Sequence, residues 1–391
     1  MIMSATDKVA WLCTYTPEEI IGAAGFKPFR PVASGDFASS SGYLPANLCP
    51  YVRQVLHQLL EARDDDLAGV VLANSCNAMM HLYNVLSSEG EIPVFLLDLP
   101  RRVDKKARGY FRSQLEEMAD FLETIGGSRI DESSLRKTID TYRTTTDLIA
   151  AEFGSERPAD RRLAPGFLPH QLTLTAFSAE RAELNNKLRP ESAAVNLSDL
   201  SGISSEESEV SETPEGAEMT DMPEVTEAAR RDEGTALSEL SDPGVEGGRR
   251  LILTGAQPHR EMTDILEGYD LEVFHDHCQG YRYWQKNYAR IDESESPFAG
   301  LARVYLKKPV CPRFYGGGRR REFYEELLNT YDFAGVIFHN LNFCDYAHYD
   351  YLQLKDYLQN KDLPMLNIAT ELSSGDSGQI RTRLEAFLEM V

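Results

Sequence analysis

The sequence predicts an α/β protein with two doubly wound domains, each built on a parallel sheet. Short apolar runs of strand length recur in both halves of the 391-residue chain, and helical patterns separate them. A long acidic segment without aromatic residues divides the two halves. Strands that alternate with helices form parallel sheets covered by helices on both faces. In such domains, ligands bind at the carboxyl ends of the strands.

The predicted strands are apolar runs that end at turn residues or charged residues. They cover 8–14, 68–75 and 92–99 in the first half, and 250–256, 271–277, 333–340 and 364–370 in the second half. The clearest predicted helices have the sequences PEEIIGAAG, YVRQVLHQLLEARDD, RGYFRSQLEEMADFLETI, EFYEELLNTYD and GQIRTRLEAFLEMV. The last helix places its apolar residues on one face, as expected for a helix that covers a sheet.

The chain divides into four segments by composition. We expect a first α/β domain over 1–100, a helical region over 101–195, a disordered acidic linker over 196–248 and a second α/β domain over 249–391. Residues 198–247 include 15 acidic residues against two arginines, Arg230 and Arg231. Such a segment buries too little apolar surface to offset the entropy lost on ordering. A plain tether is the favoured interpretation, and an acidic interaction tail is the alternative.

Charge and hydropathy exclude several partners. The formal net charge is −22, but the acidic segment supplies much of it, so the two folded halves are only mildly acidic. Nucleic acid binding needs a concentrated basic patch, which neither half shows. No apolar run approaches the roughly 20 residues of a membrane span, and the N-terminus lacks the pattern of a signal peptide. We therefore expect a cytoplasmic protein.

Six cysteines carry the strongest chemical signal in the sequence. No C-x-x-C spacing occurs, so a zinc ribbon or a thioredoxin-like site is not supported. Structural disulfides are rare in the cytoplasm. The six cysteines are Cys13, Cys49, Cys76, Cys278, Cys311 and Cys344.

The positions of the cysteines predict a shared site. Four of them lie at the carboxyl ends of predicted strands, and the other two, Cys49 and Cys311, directly precede a proline. Proline is favoured at the first position of a helix, so both should lie at or near an N-cap, where the helix dipole favours the thiolate. Each half contains a strand-end cysteine, a Cys-Pro pair and a second strand-end cysteine, at intervals of 36 and 27 residues and then of 33 and 33.

Facing carboxyl edges of the two sheets would bring all six thiolates into one cleft. Thiolates without histidine indicate an iron–sulfur cluster before any other cofactor. The alternative is that each cysteine is a buried core residue, which is the more common role of a single cysteine.

Several motifs resemble one enzyme family, and they occur in the family's order along the chain. They are CTYTPEEIIGAAGFKPFR, LCPYVR, NSCNAM, DHCQGYRYW, GVIFHNLNFCDY and GQIRTRLEAFLEM. The chain resembles the 2-hydroxyacyl-CoA dehydratase and benzoyl-CoA reductase family. This resemblance implies Rossmann-like domains around an iron–sulfur cluster and low-potential electrons from a separate ATP-hydrolysing iron–sulfur activator. It also implies a homodimer, or a heterodimer with a homologous subunit.

The resemblance leaves two cofactors open. Dehydratase subunits hold one 4Fe-4S cluster by three cysteines, which correspond here to Cys49, Cys76 and Cys344. Double-cubane proteins of the same family bind an 8Fe-9S cofactor and reduce small molecules with ATP, and six ligands would add the remaining three cysteines. The cysteine count favours the double-cubane branch. A dehydratase subunit and a non-catalytic iron–sulfur electron carrier are the alternatives.

Glu19 and His275 are candidates for proton transfer. Glu18 and Glu19 follow Pro17 at a predicted helix start, where interaction with the helix dipole is the simpler role and proton transfer by Glu19 is the functional one. His275 and His277 lie on one face of a predicted strand that leads to Cys278. His275 is therefore a candidate proton donor near the cluster, with packing as its alternative.

Overall fold

A computed structural model describes residues 7–33, 39–61, 67–155, 173, 176, 181–188, 249–288, 291–308, 311–314 and 318–391. The predicted acidic linker over 196–248 lies outside the described residues, as does part of the predicted helical region.

Two four-stranded parallel sheets confirm the predicted fold class. The first sheet has the order β2-β1-β3-β4 and the second the order β6-β5-β7-β8, so the two halves share one topology. Strand order therefore reverses between β1 and β3 and again between β5 and β7, and such switch points are where doubly wound folds bind ligands. The strands are β1 (Lys8–Trp11), β2 (Lys27–Phe29), β3 (Leu67–Ala73), β4 (Val94–Leu97), β5 (Arg249–Gly255), β6 (Leu271–Asp276), β7 (Gly335–Leu341) and β8 (Met365–Thr370).

One strand is absent from the sequence-based prediction. The edge strand β2 has three residues and contains Pro28, which pairs with Val9 of β1. A strand this short offers no apolar run or alternation in the sequence, and proline is tolerated there because β2 lies at the edge of the sheet.

The described helices connect and cover the strands. They are α1 (Glu18–Ala23), α2 (Pro50–Glu61), α3 (Asn77–Glu89), α4 (Lys105–Thr124), α5 (Glu132–Ser155), α6 (Arg181–Lys187), α7 (Arg260–Glu267), α8 (Tyr281–Trp284), α9 (Pro297–Leu306), α10 (Gly318–Thr330), α11 (Asp345–Gln359) and α12 (Ser377–Met390).

The first sheet is buried on both faces. Trp11 and Val71 pack in one apolar cluster with Phe111 of α4, while Val70 packs in another with Leu56 of α2. Helix α9, from the second half of the sequence, contributes to the cluster that contains α4 and α5. The second half is therefore not a separate body, since one of its helices completes the core of the first half.

The carboxyl ends of the two sheets meet. Leu341, at the end of β7, and Leu372, beyond β8, pack in the apolar cluster of α2 and α3. Gln54 of α2 donates a hydrogen bond to the Leu372 carbonyl at 2.9 Å. This is the arrangement in which loops after the strands of both halves share one cleft.

The second sheet is covered by α10 and α11 on one face and by α7 and α12 on the other. Four residues of the predicted apolar face of α12, Ile380, Leu384, Phe387 and Leu388, are buried, and Val391 beyond its end is partly buried. This confirms the face that the sequence pattern predicts. None of the helices in the described ranges combines the length and apolar character that crossing a membrane requires.

Gly255, the last residue of β5, is expected to be intolerant of a side chain. Its φ is +100°, and an added Cβ would lie 2.2 Å from the His339 carbonyl oxygen. We expect Gly255→Ala to lower the free energy of unfolding by about 2 kcal/mol or more, since the backbone of β7 must move. Urea denaturation followed by tryptophan fluorescence measures the change.

Gly109, in the interior of α4, is the matched control. An added Cβ there meets no atom within 4 Å. Gly109→Ala should raise the free energy of unfolding by about 0.5–1 kcal/mol, because alanine favours the helix. A Gly255→Ala protein as stable as the wild type would contradict the described packing of β5 on β7.

Candidate functional site

All six cysteines are free thiols, and four of them lie where the strand pattern predicts. Cys13 and Cys278 follow β1 and β6 by two residues, and Cys76 and Cys344 follow β3 and β7 by three. Cys49 is buried, and the other five are partly buried. These four thiols therefore lie just beyond the carboxyl ends of strands.

Three cysteines form a first triad, which we define as Cys49, Cys76 and Cys344. All three belong to one apolar cluster. Cys76 is the N-cap of α3, Cys344 is the N-cap of α11, and Cys49 directly precedes α2, as Pro50 predicts. These helices have 12 to 15 residues, so each has a full dipole. The positive ends of three helices thus carry the three thiols.

Cys49 and Cys344 share a hydrogen bond and so titrate as a pair. The Cys49 thiol lowers the pKa of Cys344 to about 6, and Arg313 helps to lower it against the effect of burial. The pKa of Cys49 is raised well above its ordinary value by its hydrogen bond to Cys344 and by burial. Within this pair, Cys49 therefore holds its proton more tightly than Cys344 does.

Backbone amides also favour the thiolate form of two of these cysteines. The Val52 N–H acts to lower the pKa of Cys49, and the Ala347 N–H, which donates to the Cys344 carbonyl at 3.1 Å, acts to lower the pKa of Cys344. Amide donors of this kind stabilise negative charge on sulfur and tune the potential of iron–sulfur clusters.

The turn before Cys344 is strained. It is closed by a hydrogen bond from the Cys344 N–H to the Leu341 carbonyl, at 3.1 Å. Phe343 within the turn has a φ of +61°, and its side chain is exposed. Left-handed backbone is unfavourable for an aromatic residue and is often found at functional sites.

The other three cysteines form a second triad, which we define as Cys13, Cys278 and Cys311. Burial raises the pKa of Cys13, and the neighbouring Cys311 raises it further. Arg30 donates hydrogen bonds to the Cys278 sulfur at 3.3 Å and to the Cys278 carbonyl at 2.8 Å. Arginine side chains surround this triad, in contrast to the helix N-termini of the first.

The predicted N-cap position of Cys311 is wrong. Cys311 opens a turn in which the Phe314 N–H donates to its carbonyl at 3.0 Å, and α10 begins only at Gly318. Pro312 fits the second position of a turn as well as the first position of a helix, so the dipeptide alone is ambiguous. Burial would raise the pKa of Cys311, but Arg313 and Arg282 outweigh it and lower the pKa.

Arg313 connects the two triads. Its Nη1 donates to the Cys311 sulfur at 3.5 Å. Burial alone would lower the pKa of its guanidinium, but interaction with Cys311, Cys76 and Cys344 raises it well above the ordinary value. Its Nε is buried without a hydrogen-bond partner. One guanidinium therefore lies within electrostatic reach of thiols from both triads.

The donor set fits an iron–sulfur cluster better than a single ion. Within the described ranges, no three His, Cys, Asp or Glu side chains are close enough together to hold one metal ion. A cluster is bound at several separate iron atoms, so its thiolates need not converge on one point. Soft thiols, buried amide donors and an arginine with an unpartnered nitrogen are the groups that an anionic cluster requires.

Glu18 and Glu19 are buried rather than exposed at the start of α1. Glu18 is 1% exposed and pairs with Lys286 at 2.9 Å and with Arg181 at 3.2 Å. Burial would raise the pKa of Glu18, but these two cations outweigh it and lower the pKa to about 2. Glu19 accepts hydrogen bonds from the hydroxyls of Tyr288 and Tyr305. Both carboxylates are therefore held by specific ion pairs or hydrogen bonds, in addition to any interaction with the dipole of α1.

His275 and His277 lie side by side, as strand alternation predicts. The Nδ1 of His275 is 3.2 Å from the Nε2 of His277, and the Nδ1 of His277 accepts a hydrogen bond from the Gln279 N–H. An added Cβ at Gly280 would lie 2.3 Å from the His275 carbonyl oxygen. The histidine pair thus packs closely against the loop that carries Cys278.

The arginines of the site are absent from the sequence-based prediction. Arg30 follows β2, and Arg282 lies in α8, so neither is adjacent to the cysteine with which it interacts. The proximity of Arg313 to Cys311 can be read in the sequence, because Arg313 stands two residues after Cys311 in the Cys-Pro-Arg segment. An isolated arginine near a cysteine, however, gives no signal that distinguishes it from a surface residue.

Comparisons with known proteins agree on one family. The family model described as 2-hydroxyglutaryl-CoA dehydratase, D-component, matches residues 13–391. The (R)-phenyllactyl-CoA dehydratase beta subunit of Clostridium sporogenes is 24% identical over 387 residues, which are 96% of this chain and 89% of the relative. One of the benzoyl-CoA reductase subunits of Thauera aromatica is 26% identical over 396 residues, with 98% and 90% coverage.

A subunit of a second kind matches over a shorter stretch. The alpha subunit of the same Clostridium sporogenes dehydratase is 24% identical over 177 residues, which are 39% of this chain and 44% of the relative.

Cys344 should be the most reactive thiol of the first triad in the apoprotein. Because its pKa is about 6, alkylation by iodoacetamide should be fast at pH 7 and slow at pH 5, where the thiol is protonated. Cys49→Ala removes the hydrogen bond that lowers this pKa, so the pH midpoint should rise. Mass spectrometry of the alkylated peptides measures the rates, and an unchanged midpoint would contradict the paired titration.

The Glu18–Lys286 pair should be important for stability. Glu18→Gln leaves a buried cation without its full counter-charge, so we expect a loss of about 3–5 kcal/mol in the free energy of unfolding. Glu116→Gln is the control: it breaks the exposed Arg112–Glu116 pair and should cost about 0.5 kcal/mol or less. Urea denaturation of both variants tests the difference, and equal losses would contradict the assigned burial.

Proposed function

The chain belongs to the 2-hydroxyglutaryl-CoA dehydratase D-component family, and on this premise we propose that it is the iron–sulfur catalytic component of a two-component enzyme. In this proposal, a separate ATP-hydrolysing iron–sulfur activator supplies low-potential electrons. The observation that carries the proposal is the set of six free, buried or partly buried thiols, four of which lie just beyond strands of the two parallel sheets.

We propose that all six thiols bind one 8Fe-9S double cubane and that the enzyme reduces a small molecule. The first triad would hold one cubane and the second triad the other. Support comes from Arg313, which interacts with Cys311 of the second triad and with Cys76 and Cys344 of the first. Two cubanes joined by a sulfide need ligand sets that are separate but adjacent.

The residues of the chain would bind, insulate and tune this cofactor. When bound, an iron–sulfur cluster supplies one-electron chemistry at low potential. The Val52 and Ala347 amides would stabilise the charge on the first triad. The aromatic side chains of Tyr15 and Phe314, whose ring centroids are 4.7 Å apart, would exclude water beside Cys311.

We assign proton transfer to Glu19 and His275. Glu19 is fully buried and accepts hydrogen bonds from the Tyr288 and Tyr305 hydroxyls, which would connect it to other proton donors. His275 lies three residues before Cys278 and shares a hydrogen bond with His277. Each group is thus connected to a partner that can exchange a proton with it.

The second candidate is one subunit of a 2-hydroxyacyl-CoA dehydratase, with a single 4Fe-4S cluster at Cys49, Cys76 and Cys344. Two observations favour it. The first triad alone has its thiols at the N-termini of three helices. The relatives include dehydratase beta subunits, and an alpha subunit of one such enzyme is itself similar to this chain. Under this candidate, the partner would be a homologous second subunit.

The similarity to dehydratase and reductase subunits argues against a non-catalytic electron carrier. For the double-cubane enzyme, we propose a homodimer or a heterodimer of homologous chains in the cytoplasm.

Iron content of two cysteine variants separates the candidates. For the double cubane, protein purified without oxygen should contain about eight irons and nine acid-labile sulfides per chain. Cys13→Ala and Cys76→Ala should each lower the iron content to about half, since each removes a ligand of one cubane.

For the dehydratase subunit, the same measurement gives a different pattern. Wild-type protein should contain about four irons, Cys13→Ala should keep them, and Cys76→Ala should lose them. Wild-type protein without iron, with all six thiols open to alkylation, would refute both candidates.

A further inference from the structure

Arg30 is a buried arginine that joins the two halves of the chain at the second triad. It is 2% exposed and lies just beyond β2 of the first sheet. Its partner Cys278 lies just beyond β6 of the second sheet. Two separate nitrogens bind the cysteine: Nη1 donates to the carbonyl at 2.8 Å, and Nη2 donates to the sulfur at 3.3 Å.

This two-point contact fixes the direction of the Cys278 side chain. The hydrogen bond to the Cys278 carbonyl holds the backbone of the loop, and the hydrogen bond to the sulfur holds the thiol relative to that backbone. A planar guanidinium has its donors in a rigid fork, so both bonds form at once with little further loss of freedom. A lysine has a single nitrogen at its tip and cannot reproduce this spacing.

The guanidinium is itself held in place by Trp11. Its central carbon lies 5.0 Å from the centroid of the Trp11 ring, a cation–π contact within the buried core. Trp11 is the last residue of β1, two residues before Cys13. The same stack therefore connects the loops of two cysteines of the second triad.

The two triads differ in the groups that stabilise charge on their sulfurs. At the first triad, the cysteines lie at helix N-termini, and Arg313 also interacts with Cys344. At the second triad, side-chain cations take this role: Arg30 at Cys278, and Arg313 and Arg282 at Cys311. Cys278 is not at the start of a long helix, and its sulfur instead accepts a hydrogen bond from the Arg30 guanidinium.

We propose that Arg30 is a positioning residue that holds the Cys278 sulfur in place to ligate iron. The proposal rests on the proposed function in its six-ligand form. In this proposal, Arg30 acts through its two hydrogen bonds to Cys278.

Iron analysis of Arg30 variants tests this role without an activity assay. Wild-type protein and Arg30→Met, Arg30→Lys and Arg250→Met variants are purified without oxygen, and iron, sulfide and thermal midpoint are measured. Arg250 is the matched control, since it is 7% exposed, stacks 5.5 Å from the Tyr331 ring and pairs with Glu272 at 2.7 Å. Arg30→Lys keeps the charge and provides a milder variant if Arg30→Met does not fold.

We expect about eight irons in wild-type and Arg250→Met protein, and a twofold loss of iron in both Arg30 variants. The loss in Arg30→Lys shows that the fork, and not the charge alone, is needed.

Three outcomes would overturn the proposal, and they are distinguishable. Eight irons in both the wild type and the Arg30 variants refute the role of Arg30 and leave the double cubane intact. Equal iron loss in the Arg30 variants and Arg250→Met reveals a general structural effect. Four irons in the wild type refute the six-ligand site, and the role of Arg30 in ligation with it.

Discussion

The concentration of six thiols at buried or partly buried positions is the constraint on which the rest of the structure depends. A buried charge is disfavoured by desolvation, and neighbouring like charges repel each other, so any thiolate among them must be stabilised. At the first triad, the N-termini of α2, α3 and α11 and the nearby Arg313 provide this stabilisation. Three helix starts can meet at one place only if the carboxyl ends of the two sheets face each other, so the orientation of the domains follows from the chemistry of the site.

The cysteine pattern and the strand order recur in the two halves, but each triad combines cysteines from both halves. The first triad takes Cys49 and Cys76 from the first half and Cys344 from the second. The second triad takes Cys13 from the first half and Cys278 and Cys311 from the second. Contacts between the halves, such as Gln54 to the Leu372 carbonyl, therefore set the distances between sulfurs as well as the stability of the fold. Buried ion pairs such as Glu18 with Lys286 serve the same alignment.

Much of this arrangement can be predicted from the sequence, because it rests on local patterns. A buried parallel strand is a continuous apolar run, so the predicted strands before Cys13, Cys76, Cys278 and Cys344 end close to the observed ones. The failures are positions where the local pattern is ambiguous or absent. Pro312 opens a turn instead of a helix, and β2 is too short to show a period. Arg30 lies 248 residues from Cys278, and no spacing rule connects them. Long-range polar contacts depend on how the two halves meet, which a single sequence does not encode in any local pattern.

Anomalous X-ray diffraction at the iron edge, on crystals grown without oxygen, tests the central claim most directly. It locates iron independently of activity and of any assumed stoichiometry. The six-ligand account predicts two adjacent groups of iron, one at Cys49, Cys76 and Cys344 and the other at Cys13, Cys278 and Cys311. A single group of iron at the first triad, with the sulfurs of Cys13, Cys278 and Cys311 bound to no metal, would contradict it.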